Sequence, residues 1–174
     1  MAREIKIREY QPEDLDQVLD LVKEMEVELA EKFPEVQLIS SVDDYKRRYL
    51  VPGHKYKTFV AEIDNKIVGY LMGYPSTGAL EVDNMYDIFP SVNWKPKEFF
   101  LQITFVSKPF RNRGISRRLH EEVITYAREQ GYEEIYACIA KWNLPEIKVV
   151  SSLKFELKDL GYRYRLTLKL RPQD

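Results

Sequence analysis

A short basic turn between a predicted strand and a predicted helix carries the residues of this sequence best suited to chemistry. The strand is Phe99 to Val106, the turn is Arg111 to Gly114, and the helix begins near Ile115. The first amide groups of a helix have no partner within the helix, and the aligned peptide dipoles place partial positive charge at that end. This arrangement favours a phosphate or another anion at the turn.

Each residue of the turn suits an anion for its own chemical reason. Gly114 permits a positive φ and lets a ligand approach the backbone closely, and consecutive turn amides can form an anion-binding nest. Arg111 and Arg113 add forked N–H donors that match phosphate oxygens. Ser116, in the first turn of the helix, is small enough for a diphosphate to sit against it. The turn therefore predicts a phosphate cradle.

An ordinary solvated turn is the alternative interpretation of the same residues. Arg117 with Glu121 and Arg118 with Glu122 have the spacing of surface ion pairs on a helix, and glycine is common in turns. The helix itself is well indicated, because one face is apolar at three- and four-residue spacing. That face comprises Ile115, Leu119, Val123, Tyr126 and Ala127. The order of the surrounding elements is needed to distinguish a phosphate cradle from an ordinary solvated turn.

Composition and charge indicate one globular domain over residues 1–174. Of the residues, 44% are hydrophobic and 13% aromatic, which is typical of a packed core. A formal net charge of -1 does not suggest nucleic-acid binding. The single cysteine, Cys138, excludes an intramolecular disulfide, and no Cys/His cluster predicts a metal site. Neither a signal peptide nor a membrane-spanning run is recognisable, so we expect a cytoplasmic protein without a membrane partner.

The N-terminal half predicts a strand, two helices and a hairpin, in that order. The elements are a strand at 5–7, a helix from Pro12 that Pro34 ends, a second helix from about Val42 to Leu50, and strands Lys57 to Ile63 and Lys66 to Tyr74. Asp64-Asn65 between the two strands is a strong turn signal, because Asn65 can take a positive φ. From Pro75 to Pro96 the periodicity fails. This stretch predicts a long acidic loop, either solvated or forming a wall of a substrate site.

The C-terminal half adds a parallel strand and a closing hairpin to the central strand and helix. Gly131 suits a helix C-cap, and Glu133 to Ala140 completes a βαβ unit whose strands should be parallel. A short helix and two strands follow, at Asn143 to Leu153, Phe155 to Lys158 and Tyr162 to Leu170. The predicted order is β, α, α, β, β, long connection, β, α, β, α, β, β.

This order resembles that of the GNAT superfamily of acyl-CoA-dependent N-acyltransferases over nearly the whole chain. The most specific match is the family pattern Arg/Gln-x-x-Gly-x-Gly/Ala, which stands here as RNRGIS from Arg111 to Ser116, with serine as the last small residue. Val106 and Pro109 match the strand end and the proline-containing turn that commonly precede it. The resemblance implies a mixed α/β fold with a mostly antiparallel central sheet of about six to seven strands, about four flanking helices, and one parallel βαβ pair splayed to bind coenzyme A.

The resemblance also implies how the cofactor is held. The amides from Arg111 to Ser116 would hold the coenzyme A diphosphate, and the strand backbone from Thr104 to Val106 would pair with the pantetheine amides, which requires an open sheet edge. Asn143 would contact the cofactor arm. The implied cofactor-binding residues are Thr104, Phe105, Val106, Arg111, Asn112, Arg113, Gly114, Ile115, Ser116 and Asn143. Acetyl-CoA is the implied acyl donor, and no metal is implied.

The family's usual proton-donating tyrosine has no counterpart in this sequence. Counting from Asn143 places Val150 at its position and Lys154-Phe155 at the family's Gly-Phe pair. An alternative register matches that pair to Gly161-Tyr162 and places Leu157 at the tyrosine position. The first register is preferred, because it keeps the asparagine spacing and leaves Gly161 for a hairpin. No catalytic residue is assigned.

The implied reaction is transfer of the acetyl group of acetyl-CoA to a primary amine of a small molecule, peptide or protein, by direct attack in a ternary complex. A thioester is an activated donor, so positioning supplies much of the rate, and a strand amide near Val106 would stabilise the oxyanion. Glu98, Gln102 and the acidic loop lie in regions suited to a base. The main alternative is a non-catalytic acyl-CoA sensor of the same fold, and a nucleic-acid site at the arginines is a third. The sequence specifies neither the acceptor nor the oligomeric state, although a homodimer fits the family.

Overall fold

The computed structural model describes residues 4–32, 46, 50, 56–75 and 97–170. Within them the chain forms seven strands and three α-helices. They are β1 (Lys6–Glu9), α1 (Leu15–Lys32), β2 (Lys57–Ile63), β3 (Lys66–Pro75), β4 (Glu98–Val106), α2 (Ile115–Glu129), β5 (Glu134–Ala140), α3 (Leu144–Ser152), β6 (Glu156–Asp159) and β7 (Arg163–Lys169). Short 3₁₀ turns at Pro12–Asp14 and Lys108–Phe110 precede α1 and α2.

All seven strands belong to one sheet, in the order β1-β2-β3-β4-β5-β7-β6. Only β4 and β5 are parallel, and each of the other neighbours is antiparallel. The predicted mixed, mostly antiparallel sheet with one parallel βαβ pair is therefore confirmed. The described residues contain three α-helices instead of about four. The helix predicted at 42–50 lies outside them apart from Lys46, which is helical, and Leu50, and so does the predicted loop beyond Pro75.

Local sequence signals explain the two connections that frame the central strands. Asp64 and Asn65 take φ values of 50° and 62° between β2 and β3, the double positive φ that a two-residue hairpin turn requires. Gly131 takes a φ of 77° after α2. Its amide donates to Arg128 O at 3.0 Å, and the next amide, of Tyr132, donates to Ala127 O at 3.0 Å, which is the Schellman pattern of a helix C-terminus.

The helices bury one apolar face each, on opposite sides of the sheet. On one side α1 packs Val18, Val22 and Met25 against β2, β3 and β4. It begins at Leu15, after the 3₁₀ turn, and not at Pro12 as predicted; within that turn Asp14 accepts from the Gln11 amide at 2.8 Å. On the other side α2 and α3 pack against the same sheet, and the predicted apolar face of α2 lies in this core. No helix in the described part of the chain is long and apolar enough to cross a membrane.

Candidate functional site

The two parallel strands part halfway along β4. Their register runs from Glu98 opposite Glu134 to Leu101 opposite Ala137 and stops there, although β4 continues to Val106. At the same level the register between β3 and β4 shifts, so that Gln102 is an extra residue on β4. A bulge of this kind bends a strand and increases its twist, while β5 stays paired with β7. The result is the open sheet edge that the sequence interpretation required.

The backbone of β4 turns two residues towards this gap. The Ser107 amide donates to Val68 O of β3 at 2.9 Å. Because the backbone groups of successive strand residues point to opposite sides, Phe105 also faces β3, whereas Thr104 and Val106 face the gap. Phe105 instead buries its side chain against α1, with 8% exposed. Of the three strand residues predicted to pair with a ligand, two therefore direct their backbone groups towards the gap, and their pairing with a ligand stays a prediction.

The turn after β4 leads into an exposed helix N-terminus. Asn112 and Gly114 both have positive φ, 62° and 75°, and a Cβ at Gly114 would have no atom within 4 Å. Gly114 is the N-cap of α2, without a side-chain cap and without an acidic residue in the first turn. The first helical hydrogen bond runs from the Arg118 amide to Gly114 O at 3.1 Å. The three amides before Arg118 therefore have no partner inside the helix, which is the anion-binding geometry expected from the sequence.

Arg111 has a different role from the predicted one. Its guanidinium makes a bidentate pair with Glu28 of α1, at 2.9 and 2.5 Å, and its Nε donates to Val106 O at 2.8 Å. The hydrogen bond from Arg111 lowers the pKa of the Glu28 carboxyl to about 2, although burial opposes the shift. The Arg111 side chain thus holds the turn against α1 in this structure, and its contact with phosphate oxygens stays a prediction.

Two glutamates of α1 were missed by the sequence interpretation. Glu28 binds Arg111, and one helical turn earlier Glu24 Oε1 accepts from the Lys108 amide at 2.9 Å. The two carboxylates hold the start and the end of the turn that follows β4. The sole sequence signal for these two glutamates was their spacing of four residues, which places them on one face of α1. This spacing does not predict that Glu28 contacts Arg111, which lies 83 residues away.

Arg113 lies on the outer side of the turn. Its side chain is exposed, stacks over the Phe110 ring at 5.4 Å and donates to Pro109 O at 3.3 Å. The charge therefore stays beside the helix N-terminus without an ion-pair partner among the described contacts. Arg117 is paired with Glu121 at 2.9 Å, as the surface alternative predicted, whereas the anion contact of Arg113 stays a prediction.

Ser116 connects the turn to α3 through Glu146, which the sequence interpretation also missed. Ser116 Oγ donates to Glu146 Oε2 at 3.0 Å, and His120 Nε2 lies 3.1 Å from Glu146 Oε1. Asn143 is the N-cap of α3, and its Oδ1 accepts from the Glu146 amide at 3.4 Å. The side-chain oxygen of Asn143 therefore caps α3, and the predicted contact of Asn143 with the cofactor arm stays a prediction.

The structure supports the preferred register for the missing tyrosine. Lys154 has a φ of 66°, a conformation that glycine adopts without strain, and β6 and β7 form the predicted hairpin around Gly161. Val150, at the tyrosine position, is 1% exposed inside the core formed with α2. Leu157, the position in the other register, is an exposed residue of the edge strand β6. Neither position holds a hydroxyl group.

The residues suggested as a base lie at opposite ends of the parallel pair. Glu98 lies where β4 and β5 are still paired and is 3% exposed, with Arg165 Nη2 at 3.9 Å. Gln102 lies at the bulge where the strands part. Its Oε1 is buried and has no hydrogen-bond partner in the described part of the chain. Of the two, Gln102 is the residue that lies where the strands part, although an amide is not a base.

A mixed sheet with a bulged, parting parallel pair and a glycine-led helix N-terminus defines the class of this protein as mixed α/β. The sequence profile of the Acetyltransferase (GNAT) family matches residues 22–155. Because this match covers well over half of the sequence, the chain belongs to the GNAT family.

Comparison with known proteins agrees with this assignment. The chain is 28% identical to human N-acetyltransferase 8 over 126 residues, which are 72% of this chain and 49% of that protein, so it spans about half the length of this relative. The PaiA N-acetyltransferase of Thermoplasma acidophilum, solved in complex with coenzyme A, superimposes with a TM-score of 0.67 at 12% identity, covering 95% of this chain and 99% of that one. YncA of Salmonella typhimurium, solved with acetyl-CoA, gives 0.67 at 17% identity, covering 98% and 96%. The similarity to these two structures shows that the chain has the same fold.

Proposed function

We propose that this protein binds acetyl-CoA in the gap between β4 and β5 and transfers the acetyl group to a primary amine of a small molecule, peptide or protein. The observation that carries the proposal is that the gap opens at the bulge and ends at the uncapped N-terminus of α2. Membership of the GNAT family supports it, as do two structural relatives that hold coenzyme A or acetyl-CoA.

The residues present fit the two chemically distinct parts of such a ligand. The unpaired amides at the start of α2 and the positive end of its dipole suit a diphosphate, and the nearby Arg113 charge adds to the attraction. Thr104 and Val106 offer backbone groups to an extended chain that carries amides, as an added strand would. Since Val106 O already accepts from Arg111, the Val106 N–H is the group left for the ligand.

Bound acetyl-CoA would supply an activated thioester, and the protein supplies position and polarisation. A β4 amide facing the gap, from Thr104 or Val106, is placed to stabilise an oxyanion. The attacking amine must be neutral and must lose a proton as the new bond forms, and Gln102 Oε1 is suited to orient an amine N–H. We assign no side chain as the general base or as the proton donor to the thiolate.

A non-catalytic acyl-CoA sensor is the second candidate, and one specific observation favours it. The position at which related enzymes usually carry a tyrosine is Val150, whose side chain is buried in the core and offers no proton. Turnover separates the two candidates. Release of coenzyme A on addition of amines supports the enzyme, whereas tight binding of acetyl-CoA with no release across a broad panel of amines and peptides supports the sensor.

The cofactor site is tested by calorimetric titration of acetyl-CoA and coenzyme A into the protein and into Gly114→Asp. A carboxylate at the helix N-terminus should weaken binding by at least about tenfold. Gly161→Asp is the matched control, because Gly161 also has a positive φ, 91°, with no atom within 4 Å of a Cβ. Binding that Gly114→Asp loses and Gly161→Asp retains supports the site. A folded wild-type protein that binds neither ligand at millimolar concentration contradicts the proposed function.

A further inference from the structure

A buried histidine lies directly behind the proposed diphosphate site. His120 of α2 is 2% exposed, and both of its ring nitrogens contact oxygen acceptors. Nδ1 lies 2.9 Å from Ser116 O, and Nε2 lies 3.1 Å from Glu146 Oε1. A carbonyl and an ionised carboxylate can only accept hydrogen bonds, so both nitrogens carry a proton when Glu146 is ionised. The geometry is therefore that of an imidazolium paired with a carboxylate.

Glu146 brings a negative charge to the edge of the anion site. Its Oε2 accepts from Ser116 Oγ at 3.0 Å, and Ser116 is in the first turn of α2, whose free amides form the proposed cradle. A bare carboxylate at this distance would repel a diphosphate strongly, because few water molecules separate the charges. The N-terminus of α3, where Glu146 lies in the first turn, offsets part of that charge.

We propose that His120 is the counter-ion that makes Glu146 compatible with an anionic cofactor beside it. In this arrangement Glu146 holds Ser116 and the start of α2 in place, and the positive charge of His120 neutralises the negative charge of the Glu146 carboxylate. His120 is a positioning residue, since it acts through Glu146 and Ser116 and touches no reacting atom. The inference rests on the proposed binding of coenzyme A and adds a charge requirement to it.

Glu146 is the charged group that faces His120. The other charged residue of α3, Lys148, is exposed. The strands beneath α2 contribute apolar side chains to this region, including Leu71 and Leu101, and on α2 itself Arg117 and Glu121 pair with each other at the surface. Among the described residues, Glu146 is thus the charged partner of His120, which makes the pair testable.

The pair gives cofactor affinity a defined pH dependence. Burial on its own lowers the pKa of His120, but the hydrogen bond and charge of Glu146 and the Ser116 carbonyl together raise that pKa above 6.5. Below the raised pKa the imidazolium masks Glu146. As the pH rises through it, the ring loses its charge, the carboxylate is left unmasked, and affinity for a diphosphate should fall.

The test uses dephospho-CoA, which keeps the diphosphate but lacks the titrating 3′-phosphate, and three variants. His120→Gln keeps an N–H donor for Glu146 and removes the charge, so binding near neutral pH should weaken by roughly tenfold. Glu146→Gln and the double variant His120→Gln/Glu146→Gln have no bare carboxylate and should bind within about threefold of wild type. Only the wild-type protein should lose affinity progressively as the pH rises through the raised pKa of His120.

Two further measurements keep the test decisive. Thermal unfolding establishes that each variant is folded, and ¹⁵N correlation spectra of the histidine rings should show both His120 nitrogens protonated at neutral pH, with His120→Gln assigning the signal. Undiminished binding by His120→Gln, equal losses in the single and double variants, or a neutral His120 ring overturns the inference while leaving cofactor binding intact. A folded wild-type protein that does not bind dephospho-CoA, coenzyme A or acetyl-CoA overturns the proposed function and this inference with it.

Discussion

Two ion pairs hold the turn before α2, and they differ in burial and in chemistry. On the α1 side, Arg111 and Glu28 are 33% and 22% exposed and join in a bidentate contact. On the α3 side, His120 is 2% exposed and Glu146 is 20% exposed. Arginine keeps its charge at every accessible pH, whereas histidine changes charge near neutrality. The positive charge on one side of the turn is therefore permanent, and the positive charge on the other side depends on pH.

The two pairs have different functions, although Arg111 and Ser116, the residues that they hold, belong to the same sequence motif. The Arg111 contact also reaches back to Val106 O, so it ties the turn to the strand that faces the gap. The His120 contact reaches Ser116 through Glu146 and adjusts the charge at the helix N-terminus. Loss of the Arg111 contact should alter the shape of the site, and loss of the His120 contact should alter its electrostatics.

The largest expected effect comes from Arg111→Ala. It removes three charge-assisted or backbone contacts, so the free energy of unfolding should fall by about 2 kcal/mol after allowance for solvent screening. Cofactor affinity should fall with it. Arg111→Lys, which keeps the charge without the fork, should lose about half as much. Denaturant unfolding and calorimetry measure both effects.

The control for this prediction is Arg117→Ala. Arg117 makes an exposed pair with Glu121, and its removal should change stability by no more than about 0.5 kcal/mol. A loss in Arg111→Ala no larger than in Arg117→Ala would show that the Glu28 contact contributes nothing to the turn.

Acid should weaken the α1 side of the turn. The folded pKa of Glu28 is about 2, below its ordinary value of 4.5, so the stabilisation is complete above pH 4.5 and is lost as the pH falls towards 2. Glu28→Gln should therefore flatten the decline of unfolding free energy across this range. Chemical denaturation at several acidic pH values checks it, and an unchanged slope in Glu28→Gln would assign acid sensitivity to other carboxylates.

Base should weaken the α3 side, with the opposite slope. The folded pKa of His120 is raised above 6.5, so its stabilisation is complete below that pH and is lost as the pH rises through the folded pKa. His120→Gln should remove this alkaline decline and leave the acid decline of Glu28 intact. Parallel pH series of the two variants make the comparison direct, and a single shared slope would refute the division into two independent sides.

The smallest expected effect belongs to Ser116→Ala. The change removes one hydrogen bond to Glu146 and should cost about 1 kcal/mol of stability. It leaves the His120 pair and the backbone amide at position 116 in place, so affinity for coenzyme A should change less than about threefold, because the amide and not the hydroxyl is proposed to face the ligand. A loss of affinity as large as that of Gly114→Asp would instead assign the Ser116 hydroxyl to the diphosphate.

Much of the scaffold could be predicted because its signals are local. Asn65, Gly114 and Gly131 each take the positive φ that their turns suggested, since backbone sterics act within a few residues. The apolar periodicity of α2 and the alternation of β7 similarly report which side faces the core. The βαβ unit followed from chain order, and its parallel pairing is confirmed.

The sequence by itself determined most elements of the described part of the chain, the glycine-led helix start and the absence of a tyrosine at positions 150 and 157. Only the tertiary structure decided which charges meet. Arg111 pairs with Glu28, which lies 83 residues away in the sequence, and Ser116 contacts Glu146, which lies 30 residues away. It also decided where β4 and β5 part, at the Gln102 bulge. Contacts of this kind depend on how helices and strands pack, and packing brings together residues that no local spacing relates.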